Sequence, residues 1–223
     1  MNKEEKALPR RQMLKMSFGL GGLVALTGSV FAQEAKRLLT PEVQMGPFYP
    51  LMKPLDMDAD LTLMAGRTGH AEGKVVHVAG RVLNYKGEPV SGAKIEIWQA
   101  NMHGRYAHSS DPNTAPLDPN FQGFGVNTTD SEGRYRFKTI KPGAYPVAPD
   151  WKRPPHIHFD VAGKINRITT QMFFAGEALN DKDQLFLELG SRREAAIGKS
   201  LPTQKNLGAD SMVINFDIVL DKG

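Results

Sequence analysis

Two histidines set two apart, His156 and His158 in the stretch RPPHIHFDVAG at 153–163, are where this chain first suggests chemistry. From Ile157 onward apolar and polar residues roughly alternate, and Gly163 closes the run, which predicts a strand. Strand side chains point to opposite faces with period two. His156 and His158 therefore share one face, and Ile157 and Phe159 point the other way, into a core. Pro154 and Pro155 donate no backbone hydrogen bond, which suits the start of a strand. Two imidazoles on one face of a rigid strand can hold one metal ion. The same H-x-H pair is also what a solvated strand face presents, and the local pattern does not decide between them.

Two tyrosines stand in unusual settings. Tyr106 follows WQANMHGR, and Tyr145 sits in TIKPGAYPV. Neither falls in a predicted strand where core packing would explain it, although a loop tyrosine covering a sheet edge accounts for either one alone.

The elements around these residues read as short strands separated by turn signals. Strands are expected over 74–84 (KVVHVAGRVLN) and 93–100 (AKIEIWQA), and from a turn at Asp130–Gly133 to Ile140. Two more follow in HIHFDVAG and NRITTQMFFAG, and a last one over 211–220 (SMVINFDIVL). Residues 101–127 read as a long loop rich in Asn, Asp, Pro and Gly, and KPGAYPVAPDWKRPP as a proline-rich loop. Residues 181–198 read as helical, with Ser191 to Glu194 as a capping box. Many short strands with little helix predict an all-β, two-sheet sandwich with long loops at the site and a short helical excursion near the C-terminus.

Taken together, GRVLNYKGEPVSGAKIEIWQANMHGRY, DPNFQGFGVNTTDSEGRYRFKTIKPGAYP and RPPHIHF resemble the intradiol ring-cleavage dioxygenases, most of all the iron-binding subunit of the protocatechuate 3,4-dioxygenases. The likeness runs from about Thr40 (LTPEVQMGPFYP) to the last strand, with its four blocks in order. It implies an Fe(III) cofactor bound by Tyr106, Tyr145, His156 and His158, with Tyr145 and His158 axial and a hydroxide in a fifth place. That donor set fits a hard ferric ion, which prefers anionic oxygen. It implies an enzyme that cleaves a catechol-type substrate between its two hydroxylated carbons with O2, giving a muconate-type diacid. By the same likeness Arg153 steadies negative charge on the bound ring and Tyr145 takes part in catalysis. Gln171 and Tyr49 lie near the substrate. Val147 stands where the family usually has Trp, and Ala144 where it usually has Pro, so a more open substrate wall is expected at Val147. The plainer readings are a surface arginine, a strand polar group and packing residues.

Other side chains carry no matched motif. His77 reads as a satisfied edge histidine, His103 and His108 as solvated residues near Tyr106, and Trp98 and Trp151 as packing. A competing class stays open: the G-x-V…G-x-P-V-x-G-A pattern and the D-x-x-G-x-Y-x-F turn also resemble non-enzymatic transthyretin-like or carboxypeptidase-regulatory sandwich modules. Those modules lack the paired histidines and the tyrosine of HGRY.

The first 32 residues read as an export leader. Arg10 and Arg11 form a twin-arginine pair ahead of a glycine-rich apolar run from Met16 to Leu26, and Val30 and Ala32 supply small residues for cleavage. The alternative is a membrane anchor, for which the run is short and broken by glycines. The leader holds five of the 28 Lys+Arg and two of the 24 Asp+Glu, which leaves 23 against 22 in residues 33–223. The basic balance therefore belongs largely to the leader and does not point to nucleic acid. Expected organisation is a twin-arginine signal over 1–32, an N-terminal arm over 33–73 and the sandwich domain over 74–223. The expected location is periplasmic or secreted, without stable membrane association after cleavage. The chain has no cysteine, so core, metal or assembly must stabilise it outside the cytoplasm. An oligomer is expected, with itself or with a second subunit of the same fold.

Overall fold

The computed structural model describes residues 37–203, 207–208 and 210–223. The expected leader lies outside the described residues. Eleven strands are described, nine of them joined in one sheet that wraps around the main core and two paired in a separate hairpin. They are β1 (Val75–Asn84), β2 (Lys94–Trp98), β3 (Phe124–Thr128), β4 (Arg134–Ile140), β5 (Tyr145–Ala148), β6 (Trp151–Arg153), β7 (His156–Ala162), β8 (Arg167–Phe174), β9 (Ile197–Leu201), β10 (Met212–Asn215) and β11 (Ile218–Leu220). The path runs β11-β1-β10-β9-β8-β7-β2-β3, with β4 also on β1, and β5 pairs β6.

The core is closed between two halves of this sheet. Val76, Val78, Val82, Phe137, Ile214 and Ile218 come from one half, and Ile95, Ile97, Ile157, Phe159, Val161 and Met172 from the other. All are fully buried. This is the expected all-β sandwich, built on β-branched and aromatic residues at every second position.

Several local readings are corrected. The predicted loop over 101–127 ends in β3, which begins at Phe124 and pairs with β2. The proline-rich loop contains the β5–β6 hairpin, so Tyr145 does lie in a strand, paired with Arg153. β9 was not foreseen. The last strand is broken in two: β10 and β11 both run parallel to β1, and between them the Asp217 carboxylate accepts the Arg81 N–H at 3.0 Å. The expected helix over 181–198 is a short α1 (Gln184–Glu188) between 3-10 turns at Asn180–Lys182 and Gly190–Ala196. No capping box forms, because Ser191 lies inside the second turn and Leu189 precedes it without a side-chain cap. His77 is not at an edge, since β1 is paired on both sides there, and its Nε2 is buried with no partner.

Residues 37–73 carry no helix or strand, yet they pack closely. Leu61 enters the core, Thr40 N–H donates to Val219 O and Val43 N–H to Thr169 O. A polar clamp fixes the middle of this segment to β2. Glu96 lies on the face of β2 opposite Ile95 and Ile97 and is buried. Its carboxylate accepts Tyr49 Oη and Lys53 Nζ, each at 2.6 Å, and Lys94 Nζ at 2.6 Å. Burial alone would raise its pKa, but the hydrogen bonds from Lys53, Lys94 and Tyr49 outweigh that and hold it at about 2 against an ordinary 4.5. A carboxyl depressed in the folded state contributes stability above its unfolded pKa and loses it as pH falls toward the folded value. Urea midpoints should therefore drop as pH falls from about 4.5 to about 2, and the drop should be shallower in Glu96→Gln. That variant should also be about 1–3 kcal/mol less stable at neutral pH.

Candidate active site

β7 is buried on both faces. Ile157, Phe159 and Val161 face the core, while His156 and His158, each 2% exposed, face a second layer of loops and the arm. The alternation predicted from sequence is thus present, and the outer face is covered. Cross-strand register then surrounds the histidines. His158 lies between Trp98 of β2 and Gln171 of β8, and His156 opposite Phe173. Trp98 stacks on the His158 ring at 4.8 Å between centroids and 10° between planes. Behind it Tyr49 packs edge-on at 5.0 Å.

The two tyrosines arrive on adjoining loops that share one anchor. Asn101 is buried, and its backbone oxygen accepts Gly104 N–H at 3.0 Å and Gly143 N–H at 2.9 Å. Its side-chain oxygen accepts the His103 and Arg105 N–H groups. Each glycine stands two residues before its tyrosine. Gly104 has φ +78°, and a Cβ there would lie 2.7 Å from Ala144 O and 3.1 Å from Tyr145 Cβ. Only glycine lets the loops approach this closely in that backbone region.

The result is a convergence of four donor side chains. Tyr106 Oη lies 3.1 Å from His158 Nε2 and 3.4 Å from His156 Nε2, and the two Nε2 atoms are 3.2 Å apart. The Tyr145 ring packs edge-on against Tyr106 at 5.5 Å, and its hydroxyl feels the positive charge of Arg153. His156 Nδ1 is 2.7 Å from Pro154 O. A carbonyl can only accept, so Nδ1 carries the proton and Nε2 presents a lone pair. Burial, with Arg153 beside them, pushes both histidines well below their ordinary pKa, so they are neutral. Burial likewise pushes Tyr106 well above its ordinary value, with Tyr145 adding to the shift, and raises Tyr145.

These atoms fit a metal ion. Donors about 2.1 Å from a common centre at angles of 90–120° lie about 3.0–3.6 Å from one another, and the three measured separations fall in that range. A bound cation would also reverse the penalty that burial places on a phenolate. Among the described residues no group of three or more His, Asp or Glu side chains could hold a metal, so such a site depends on the phenol oxygens.

Arg153 ties the site to the C-terminal turns. Its guanidinium donates to the Asp183 carboxylate at 2.9 and 3.2 Å and to Gln171 Oε1 at 2.8 Å, and Nη1 lies 3.3 Å from His156 Nε2. Gln171 in turn donates to Gln44 O. Asp183 is fully buried and also accepts Trp151 Nε1–H at 3.0 Å. A cavity of about 350 Å3 opens beside Tyr145, Arg153, His158 and Gln171, and Val147 and Trp151 are on its wall.

The fold thus brings together Tyr106, Tyr145, His156, His158, Arg153 and Gln171, with Val147 half exposed at the rim. It places Tyr49 elsewhere, behind Trp98 with its hydroxyl on Glu96. Reading the sequence missed three contributors. Trp98 and Trp151 pack as expected but also hold His158 and Asp183 in place. Asp183 precedes helix α1 as an ordinary capping residue would, yet makes no cap bond, and its carboxylate serves Arg153. His103 pairs with Glu72 at 3.2 Å, and His108 Nε2 is buried without a partner.

The sequence profile of a family described as "Dioxygenase" (Dioxygenase_C) matches residues 44–222. The chain belongs to the intradiol ring-cleavage dioxygenases. It is 44% identical over 183 residues to the protocatechuate 3,4-dioxygenase beta chain of Burkholderia cepacia, a match covering 79% of this chain and 77% of that one. It is 31% identical over 157 residues to a hydroxyquinol 1,2-dioxygenase of Rhizobium sp. (strain MTP-10005), covering 64% of this chain and half of that relative. In fold it is similar to an intradiol ring-cleavage dioxygenase from Tetranychus urticae, with a TM-score of 0.63 and 21% identity over 82% of this chain and 94% of that one. The non-enzymatic sandwich reading is therefore set aside.

Two substitutions probe how this dioxygenase holds its site. Asp183→Ala leaves Arg153 buried without a counter-charge and should cost about 3–5 kcal/mol in urea unfolding. Gly104→Ala places a Cβ at positive φ against Ala144 O and should cost more than about 1 kcal/mol, measured the same way.

Proposed function

We propose that Tyr106, Tyr145, His156 and His158 hold the ferric ion of this intradiol dioxygenase, and that the cavity beside them receives the catechol-type diol. The observation that carries this is the convergence of Tyr106 Oη and the two Nε2 atoms within 3.4 Å, on side chains that are almost fully buried. When bound there, iron would supply a Lewis acid that draws electron density from the chelated ring and opens a ring carbon to O2.

The protein side chains do the rest. The neutral imidazoles present lone pairs and no proton to compete for them. Tyr145 lies on the cavity wall, and its hydroxyl oxygen is placed to take one of the two protons that the diol gives up on binding. Arg153 cannot swing, because Asp183 and Gln171 fix its guanidinium. Its fixed positive charge beside His156 favours negative charge developing on the bound ring. Trp98 excludes water from behind His158. Both atoms of O2 end in the product: the bond between the two hydroxylated carbons breaks, and each carbon becomes a carboxyl carbon of a muconate-type diacid.

We further propose that residues 1–32 direct export by the twin-arginine route, supported by Arg10–Arg11 and the apolar run behind them. Assembly with a second copy or a sister chain is supported by Leu51, Met52 and Leu55 of the arm, which are each at least 80% exposed.

Purified protein should be red-brown from phenolate-to-iron charge transfer and hold close to one iron per chain. Tyr106→Phe should lose most of the colour, and His158→Ala should lose the iron. A protein that stays colourless after reconstitution with iron would refute the site.

A further inference from the structure

The substrate class can be narrowed from the charges around the cavity, an inference that rests on the proposed site. Much of its wall is apolar: Phe48, Pro112, Pro146, Val147 and Leu185 all line it. Its charged lining residues are Arg153 and Asp111. Arg153 is ion-paired with Asp183 and held by Gln171, and its Nη1 edge faces His156 and the donor set. Lys152 is next to it, but successive residues of a strand face opposite ways. Trp151 and Arg153 line the cavity, and Lys152 is exposed on the other face of β6. The Asp111 carboxylate is fixed by the N–H groups of Tyr106 and Asn113, and its negative charge is felt at the Tyr106 hydroxyl.

We infer that the site selects uncharged catechols, unsubstituted or with an apolar substituent, against catechols bearing a ring carboxylate. A carboxylated ring would bring a second anion into a cavity that already holds Asp111 and a largely apolar wall, and among the described lining residues the one cation, Arg153, is already paired with Asp183. Desolvating an unpaired carboxylate is costly, and like charges a few ångströms apart repel strongly where water is scarce. A methyl or larger alkyl group would instead bury against Pro146, Val147 and Leu185. Val147 is half exposed, so the wall is open at that point to a substituent longer than the ring. This selectivity runs against the name of the 44%-identical relative, whose substrate by that name is the carboxylated diol.

The test is anaerobic titration of the iron-loaded whole protein with 4-methylcatechol and with 3,4-dihydroxybenzoate, reading dissociation constants from the change in visible absorption. The expected result is at least tenfold tighter binding of 4-methylcatechol at neutral pH. Val147→Lys, a change at an exposed position, should move the ratio about tenfold toward the carboxylated diol. Equal or tighter binding of 3,4-dihydroxybenzoate by the unaltered protein would overturn the inference and leave the iron site standing. Failure of iron-loaded protein to bind either diol would overturn the proposed site and this inference with it. A ratio unmoved by Val147→Lys would overturn the assignment of that wall to the ring substituent.

Discussion

Everything at the site depends on β7 being buried on both sides. Its inner residues lock the strand into the core and deny it any shift in register, because a slip of one residue would turn His156 and His158 inward and Ile157 and Phe159 outward. With register fixed, the two imidazoles have no freedom but rotation about their own bonds. Pro154 O and the Trp98 ring remove most of that. The lone pair of His156 Nε2 then faces His158 Nε2 at 3.2 Å, close enough for one cation to take both.

The phenols are held by different means. Tyr106 belongs to a loop and Tyr145 opens the short strand β5 just after one, and the placement of both loops falls to Asn101 and to two glycines. Asn101 joins the two loops through its backbone oxygen, which takes Gly104 and Gly143, and braces its own loop with both ends of its side chain. Gly104 allows that unit to close against Ala144. The tyrosines are thus fixed as a pair, and a disturbance of one loop is carried to the other.

Charge is handled with the same economy. A buried arginine is costly unless it is paired, and here Asp183 neutralises Arg153 from below while Gln171 fills a further donor. The pair adds orientation more than net stability, and leaves the cavity with a guanidinium that is present but committed. Glu96 plays the corresponding part on the far side of Trp98, where it clamps the arm through Tyr49 and Lys53. The aromatic layer behind His158 is thereby supported from a segment that has no regular structure of its own.

Much of this is legible in the sequence alone. Alternation placed His156 and His158 on one face because a period of two is a local property of the backbone, and the strands of β1, β2, β4, β7 and β8 were readable for the same reason. The motif blocks around Tyr106, Tyr145 and His156 pointed to the right family. Short elements were not readable: β5, β6 and β9 are only three to five residues long, and a proline-rich or mixed stretch of that length shows no period until it finds a partner strand. The break between β10 and β11 arises from Asp217 meeting Arg81, 136 positions away in the chain. Asp183 falls inside the expected helix over 181–198 and belongs to no motif, and Tyr49 reads as a residue near the substrate. Their actual partners, Arg153 and Glu96, lie 30 and 47 residues away. Sequence by itself determined the donor types, the faces of the long strands and the fold class, since these follow from residue chemistry and local period. Only the tertiary structure decided which polar groups meet, because a buried carboxylate takes the nearest cation in space, and nearness in space is set by how the whole sheet closes.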